Sequence, residues 1–306
     1  MPKDKSLNID TMKLLKTLFV FLIAVLFGGC IDEDTSDCPP TENFSLRFNY
    51  INFGEYINRV NIGIFDRSGR CIQVRQLEKS DLNNSQGITL SLDTGKYTAI
   101  CWANSFDKTR IKGLTVGSLM SDGEVYHTNY GTNIPINNND SLYYGSLNFS
   151  VLPGNNITDT LYFKPAHIRL NVYIKGLEML SLKSYAANDP AIRINNLLPL
   201  YDFKRQPKGA PVSYYPSISD YTAEIIHIKC DVLYFSLNDK ITVDILENTI
   251  SNKVLWTVDL IKFTRDNGIS IDDNHQIDIP LQVTFLDGKI TVSLAPWGNN
   301  PVDPDL

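Results

Sequence analysis

Histidine and cysteine are the residues of this sequence that could ligate a metal or act in nucleophilic catalysis, and the chain has four histidines and five cysteines. The H-E-x-x-H pattern, which places two zinc ligands on one helix face, is absent from the sequence. His227 and Cys230 are three residues apart in "HIKC". On a strand that spacing turns the two side chains to opposite faces, so we do not predict a zinc site there.

Other signatures of enzymes are also missing from the sequence. No nucleophile elbow, Walker loop or dinucleotide-binding glycine motif follows a predicted strand. The segment at Asp272, Asp273 and Asn274 lacks the ligand spacing of a calcium loop, so we interpret it as a solvated turn. The chain has 28 Lys and Arg against 34 Asp and Glu, without a basic cluster beside an aromatic ladder. We therefore expect a non-enzymatic protein that has no cofactor and no nucleic-acid partner.

Cys30 is the cysteine with the clearest chemical assignment, because it follows an N-terminal apolar run. That run extends from Leu18 to Phe27, which is short of the roughly 20 residues that a helix needs to cross a bilayer. Lys13 and Lys16 precede the run, as in a secretory signal peptide. The sequence "LFGGC" resembles the lipobox of bacterial lipoproteins, in which cleavage precedes an acylated cysteine. We predict a signal peptide over residues 1–29 and acyl chains such as palmitate on Cys30.

Residues 30–40 are predicted to form a lipidated acidic tether. Two or three acyl chains on one residue anchor stably, because each buried methylene contributes about 0.8 kcal/mol. Asp32, Glu33 and Asp34 either resemble the acidic export signal of surface-exposed Bacteroidetes lipoproteins or form a solvated spacer. Both interpretations place the folded part outside the cytoplasm, anchored to the outer membrane. Translation from Met12 instead of the first residue is an open alternative.

The other four cysteines would lie in an oxidising compartment, where disulfides can form. Cys101 and Cys230 lie in apolar strand patterns, so we interpret them as buried thiols. Cys38 and Cys71 flank predicted strands in the same half of the chain, which makes them the first candidates for a disulfide.

Five aromatic residues are candidates for a contact surface. Trp102 and Trp297 lie at predicted strand ends, where they could stack on a glycan or pack in the core. Tyr214, Tyr215 and Tyr221 lie in a segment rich in Pro and Asn, and tyrosine is enriched at protein interfaces.

Alternation of apolar and polar residues dominates the chain and predicts strands with one buried face. The segment from Ala166 to Lys175 alternates throughout, with Ile168 and Leu170 on the apolar face and His167 on the wet one. Seven further segments alternate similarly: "LRFNY", "VNIGIFD", "ITLSLD", "KYTAICW", "VLWTVDL", "QIDIPLQVTF" and "KITVSLAPW". Turn sequences such as "DRSGR" and "LDGK" separate them. The pattern predicts an all-β chain of antiparallel β-sandwiches.

The length of the chain and a boundary near Thr158 predict two such domains, over residues 41–158 and 159–306. The boundary follows the turn "LPGNN" and precedes a long strand pattern. Within the second domain, the segment from Ser184 to Tyr221 is predicted to be a long irregular loop.

Several segments in a fixed order carry a resemblance to a known family. They are "CIDEDTSDCPP", "SLRFNY", "RVNIGIFDRSGRCI", "LDTGKYTAICWANS", "SLYYGSLNF" and "HIRLNVYIKGL". This order, over most of residues 30–177, resembles the fimbrial anchor subunits of Bacteroidales, the FimB/Mfa-like lipoproteins of type V fimbriae. Cys71 within "GRCI" departs from the pattern, and the second half of the chain matches by alternation only.

The resemblance implies two transthyretin-like β-sandwich domains after a lipoprotein signal peptide. It also implies a subunit that anchors a fimbria at its base and influences its length, with a fimbrial shaft subunit (fimbrillin) bound by strand exchange or docking. The final "GNNPVDPDL" contains two prolines and alternates poorly, so we expect this subunit to receive a strand or dock by a surface and not to donate its terminus. A surface glycan-binding lipoprotein and a fimbrial tip adhesin are the alternatives.

Overall fold

The structure is a computed structural model that describes residues 42–177, 191–222, 225–247, 253–272 and 275–296. Glu42–Leu306 form one compact unit. The described residues form strands β1 (Phe44–Asn49), β2 (Arg59–Asp66), β3 (Cys71–Glu78), β4 (Gly87–Leu90), β5 (Gly95–Ala103), β6 (Thr109–Lys112), β7 (Glu124–His127), β8 (Tyr143–Val151), β9 (Ile157–Tyr162), β10 (Lys164–Pro165), β11 (His167–Lys175), β12 (Ile192–Leu197), β13 (Leu200–Asp202), β14 (Pro207–Lys208), β15 (Val212–Tyr214), β16 (Asp220–Tyr221), β17 (Ile225–Leu233), β18 (Thr242–Leu246), β19 (Val254–Asp259), β20 (Ile277–Leu286) and β21 (Lys289–Leu294). Three short α-helices and one 3-10 helix (Met120–Asp122) accompany them; the α-helices are α1 (Phe53–Tyr56), α2 (Lys79–Asn84) and α3 (Leu260–Asp266).

The N-terminal sandwich consists of two sheets that share a core. Sheet I has the order β4-β1-β9, and sheet II has the order β10-β8-β5-β2-β3. Apolar residues alternate along β1, so Phe44, Leu46 and Phe48 face the core with at most 3% of their surface exposed. They meet the inward-facing residues of sheet II, such as Ile62, and the Phe44 ring stacks on Phe149 with 3.9 Å between centroids.

The C-terminal sandwich is built in the same way from sheet IV, in the order β15-β12-β18-β19, and sheet V, in the order β16-β17-β11-β20-β21. The predicted alternation in β11 is confirmed, because Ile168 and Leu170 are fully buried in the core between these sheets. His167, predicted on the wet face, is also fully buried. It lies at the start of β11, where the two sandwiches meet and the outer face is covered.

Sheet III, in the order β14-β13-β7-β6, combines strands from both halves of the chain. It packs on the outer face of sheet II, where Trp102 and Phe65 meet Tyr201 and Phe203 in a third core. The Tyr201 hydroxyl donates to the Ala166 carbonyl at 2.9 Å. Both faces of sheet II are therefore covered by protein.

The prediction of a chain rich in β-strands with antiparallel sheets is confirmed for most strand pairs. Two pairs differ, because β1 pairs with β9 and β11 pairs with β20 in parallel. The predicted boundary at Thr158 lies within β9, which pairs with β1 of the N-terminal sandwich. The division into two domains stays a prediction.

The segment from Ser184 to Tyr221 was predicted to be irregular, and this is wrong for its described part. Residues 191–221 contribute β12 to β16 to three different sheets. In β12, Ile192 and Ile194 alternate with polar residues and are fully buried. The strands are short, and the prolines and asparagines between them mask their alternation in the sequence.

Candidate functional site

One lateral side of the C-terminal sandwich is formed by β19, the last strand of sheet IV, and β21, the last strand of sheet V. Within the described residues, each of these strands pairs on one side only, β19 with β18 and β21 with β20. An edge strand of this kind presents unpaired backbone N–H and C=O groups that another strand can satisfy.

The side chains that these strands direct toward the core are incompletely covered. Val292 lies opposite the buried Val283 and is 37% exposed, and Leu294 lies opposite the buried Leu281 and is 41% exposed. Directly opposite residues on neighbouring strands share a face of the sheet. Along this side, apolar side chains on the core face of the sheet are therefore partly exposed to solvent.

The facing strand β19 also has an incompletely covered side chain on its core face. Trp256 lies opposite the fully buried Ile245 but is 42% exposed. A cavity of about 490 Å³ lies beside these strands and is lined by Leu255, Phe285, Leu286, Asp287, Gly288, Lys289 and Ile290. We call β19, β21 and this cavity the open edge.

The predicted turn "LDGK" forms one end of the open edge. Asp287 and Gly288 have φ angles of 50° and 71°, as a two-residue hairpin between β20 and β21 requires. Glycine tolerates this left-handed backbone because it lacks a Cβ. The turn places Leu286, which is 54% exposed, and Lys289 at the rim of the cavity.

The opposite lateral side of the sandwich is built differently. Its edge strands β15 and β16 have three and two residues. The Tyr215 N–H donates to the Ile136 carbonyl at 2.7 Å, so a segment from the first half of the chain covers β15. Short, covered edges resist pairing with another chain.

Two of the candidate contact residues, Trp102 and Tyr214, are core residues, which for Trp102 is one of the two alternatives that the sequence left open. Trp102 is fully buried between sheets II and III, and its ring stacks on Tyr201 with 5.6 Å between centroids. Tyr214 is fully buried and accepts a hydrogen bond from the Asn139 side chain at 2.9 Å. Neither side chain is accessible at the surface, since Tyr214 fills the core of the C-terminal sandwich and Trp102 fills the third core.

The other predicted contact residues are not brought together. Tyr215 is half-buried on the covered lateral side of the C-terminal sandwich. Tyr221 lies in β16, and the placement of its side chain is not described. Trp297 lies outside the described residues.

The cysteines agree in part with the sequence interpretation. Cys101 and Cys230 are buried free thiols, as predicted, and burial raises the pKa of both. Cys71 is also buried, and burial raises the pKa of its thiol. Cys38 lies outside the described residues, so its pairing with Cys71 stays a prediction.

The predicted lipidation site Cys30 and the acidic residues Asp32, Glu33 and Asp34 also lie outside the described residues. None of the helices in the described part of the chain is long and apolar enough to cross a bilayer.

Several titratable groups with altered pKa values lie at the junction of the sandwiches. Arg169 donates to Asp231 through Nε at 2.9 Å and Nη2 at 3.1 Å, and Ser141 also donates to Asp231. Burial acts to raise the pKa of Asp231, but the charges of His167 and Arg169 and these hydrogen bonds outweigh it and lower that pKa. The arrangement is a buried ion pair that joins β11, β17 and the segment before β8.

Two histidines at this junction are buried, and burial lowers the pKa of each. His127 accepts from the Asn129 N–H at Nδ1 and contacts the Asn138 carbonyl through Nε2. His167 contacts the Leu142 carbonyl through Nδ1, and its Nε2 has no hydrogen-bond partner within the described residues. In the part of the chain that the structure describes, no cluster of His, Cys, Asp or Glu could hold a metal ion.

Trp256, Val292 and Leu294 are the residues of the open edge that sequence reasoning missed. They lie in "VLWTVDL" and "KITVSLAPW", which were correctly predicted as strands. Alternation indicates which side chains share a face, but it does not distinguish an edge strand from a central one. The polar segment that follows "KITVSLAPW" was the one sequence feature that could have indicated an edge strand there.

Comparisons with known proteins agree with this architecture. The model of the family "Fimbrillin-A associated anchor proteins Mfa1 and Mfa2" matches residues 35–301. The major fimbrium anchoring subunit FimB of Porphyromonas gingivalis is 32% identical over 105 residues, which are 32% of this chain and 34% of that protein. The alignment therefore spans about a third of the length of this curated relative.

Solved structures match over most of the chain at low identity. The fimbrial anchor protein Mfa2 from Porphyromonas gingivalis has a TM-score of 0.59 at 14% identity, covering 81% of this chain and 94% of that one. A candidate adhesin from Bacteroides ovatus has a TM-score of 0.66 at 16% identity, covering 83% of this chain and 94% of that one. A candidate polysaccharide-binding protein from Bacteroides thetaiotaomicron has a TM-score of 0.62 at 16% identity, covering 84% and 99%. These matches show the fold.

Proposed function

The chain belongs to the family of fimbrillin-A associated anchor proteins Mfa1 and Mfa2, and we propose from this that it holds the base of a fimbria at the surface of the outer membrane. The prediction of a non-enzymatic structural protein agrees with membership in this family. Anchoring fixes the protein to the membrane at one end and to a fimbrial shaft subunit at the other.

The membrane end of the proposal is the lipid on Cys30, after removal of residues 1–29. A cysteine that carries two or three acyl chains holds a protein stably in a leaflet. The acidic residues 32–34 then direct the protein to the cell surface or act as a spacer. The sandwiches, which we propose to be transthyretin-like domains, lie beyond this tether.

The fimbrial end of the proposal is the open edge, and the incomplete cover of Trp256, Val292 and Leu294 is the observation that carries it. An extended segment with alternating apolar residues would pair with β19 or β21 through its backbone and place its apolar side chains in the cavity. Peptide recognition by strand addition obtains affinity from main-chain hydrogen bonds and specificity from such pockets. The occupant is a strand or apolar surface of the shaft subunit, and its capture ends the fibre and influences its length.

The test compares fimbriae on cells that carry wild-type protein, Val292→Lys or Ile72→Lys. Val292 and Ile72 are each 37% exposed on an edge strand, β21 of sheet V and β3 of sheet II respectively, so the pair is matched. We expect Val292→Lys to release fibres into the medium, because a charge would have to enter the apolar cleft, and Ile72→Lys to retain them. Electron microscopy of cells and medium, with surface protein measured by antibody, gives the readout.

Attached fibres of normal length in Val292→Lys would contradict docking at the open edge. The same result in Cys30→Ser cells would contradict the anchoring function as a whole. In that case retention on glycan affinity gels, lost in Trp256→Ala, would favour the alternative of a surface glycan-binding lipoprotein.

A further inference from the structure

We infer that the parallel ladder between β1 and β9 is a mechanical clamp that carries tension from the tether into the folded protein. The inference rests on the proposed function, in which lipid holds the N-terminus and the C-terminal sandwich holds the fimbria. Tension then reaches Asn43, which lies shortly after the tether and directly before β1. It leaves β9 at Phe163, from which the chain continues into β11 of the C-terminal sandwich.

The direction of the strands determines how this tension acts on the ladder. Because β1 and β9 are parallel, the load pulls the first residue of one strand and the last residue of the other in opposite directions. The hydrogen bonds lie across the direction of pulling, so they share the load. Strands pulled apart from the same end would instead lose these bonds one after another.

The ladder is continuous over the whole of both strands. Its register pairs six residues, from Phe44 with Ile157 to Asn49 with Tyr162. The Ile157 N–H donates to the Asn43 carbonyl at 3.0 Å, and the Phe163 N–H donates to the Asn49 carbonyl at 2.9 Å. These two bonds extend the ladder beyond both ends of the paired region.

Asn43 reinforces the point where the load enters. Its backbone N–H donates to the Leu90 carbonyl at 3.1 Å, on the side of β1 opposite β9. Its side-chain amide donates to the Leu92 carbonyl at 2.7 Å, and its side-chain oxygen accepts from the Leu92 N–H at 3.1 Å. Asn43 therefore binds β1 to both neighbouring segments before the first core residue.

The core resists sliding of β1 in addition to these hydrogen bonds. Phe44 and Leu46 are fully buried, and Phe48 is 3% exposed. A slip of one residue would turn all three side chains to the opposite face of the sheet. A slip of two residues would draw Phe44 away from its stack on Phe149 and out of the core.

The first experiment measures the lifetime of the folded protein under constant force with two attachment geometries. One handle is Lys289→Cys at the open edge in both cases, and Cys38→Ser removes a competing thiol. The other handle is Cys30, kept unacylated by producing the protein without residues 1–29, which loads the ladder in shear, or Ile51→Cys with Cys30→Ser, which pulls β1 from its opposite end. Ile51 is 59% exposed, so the attachment leaves the core intact. We expect the lifetime to be about tenfold longer with the Cys30 handle. In that geometry the hydrogen bonds of the ladder share the load, which lowers the unfolding rate that governs forced unfolding.

The second experiment compares two proline variants with the Cys30 handle. Alternate residues of a parallel strand donate to the same neighbour, so the Asp159 N–H faces β1, as the Ile157 N–H does. The Thr160 N–H instead bonds the Asp159 side chain at 2.8 Å. We expect Asp159→Pro to shorten the lifetime about tenfold and Thr160→Pro by less than about twofold, since only the first removes a rung.

Equal lifetimes in the two geometries would overturn the clamp, and so would equal effects of the two prolines. Should Asp159→Pro fail to fold, Asn43→Ala replaces it, and an unchanged lifetime in that variant would overturn the clamp. These measurements need no fimbria, so the clamp can fail while anchoring holds. Fibre release from cells tests anchoring independently of the clamp.

Discussion

The two sandwiches share an architecture but differ in how completely they are covered. Sheet II of the N-terminal sandwich is buried on both faces, by sheet I and by sheet III. The C-terminal sandwich leaves core-facing residues of β19 and β21 exposed along one side. This difference is the support for the proposal that another chain completes the second sandwich, whereas the central strands of the first pack against protein on both faces.

Two tryptophans give the largest expected difference between these regions. Trp102→Ala should lower the free energy of unfolding by about 3–5 kcal/mol, because it leaves a cavity in a fully buried core. Trp256→Ala should lower it by less than about 1 kcal/mol, because much of that side chain is already in water. Urea unfolding of both variants measures the difference. Equal losses would show that the open edge is an ordinary part of the core.

Trp102→Phe sharpens this test. The Trp102 Nε1 has no hydrogen-bond partner within the described residues, so phenylalanine removes a buried unsatisfied donor along with part of the ring. We expect it to restore most of the stability that alanine loses.

Two glycines of the N-terminal sandwich give a smaller effect. A Cβ on Gly87 in β4 would lie 2.4 Å from the Leu46 carbonyl oxygen, whereas a Cβ on Gly54 in α1 meets no atom within 4 Å. We expect Gly87→Ala to cost about 1–3 kcal/mol, because backbone must move. Gly54→Ala should be neutral or stabilising by up to about 1 kcal/mol. A loss in Gly54→Ala equal to that in Gly87→Ala, measured in urea, would contradict this account of tight packing between β1 and β4.

The dependence of stability on pH tests the junction between the sandwiches. Burial lowers the pKa of His127 and His167 below the ordinary value of 6.5, so the unfolded chain binds protons that the folded protein does not. Stability from these groups is complete above that value and is lost as the pH falls through 6.5 toward the lower folded pKa. The free energy of unfolding, measured in urea, should be lower at pH 5.5 than at pH 7.5.

The exposed His275 provides the control for this measurement. Its side chain is 84% exposed, so His275→Gln removes a histidine without altering a buried ring. His167→Gln should flatten the slope of stability against pH whatever its effect on the stability at pH 7.5. An unchanged slope in His167→Gln would show that the buried ring does not govern the acid sensitivity of the junction.

Much of the fold follows from local sequence. Each segment in which alternation predicted a strand contains one in the structure, including β11 and the hairpin of β20 and β21. The reason is that apolar side chains recur every two residues along a strand with one buried face. Alternation failed for β12 to β16, since four of these strands have only two or three residues and give too few repeats to recognise. It also misplaced His167, since the cover of a strand's outer face by another segment leaves no local trace.

The candidate site was less predictable than the strands that form it. Trp102 and Trp256 both lie in alternating segments, yet one is a core residue and the other is 42% exposed on an edge strand. Whether a strand is central or at an edge depends on sheet order, which joins residues far apart in the chain. Sequence order likewise gives no sign that β1 pairs in parallel with β9, more than 100 residues later.

The sequence by itself determined the leader pattern, the predicted lipid cysteine, the strand content and the family resemblance. Each of these depends on residues that are neighbours in the chain, where hydropathy and spacing can be seen directly. Only the tertiary structure decided which tryptophan is exposed, which edge is open and which two strands share the ladder at the tether. Those properties depend on long-range pairing and on how far each sheet extends past its partner, which no local pattern encodes.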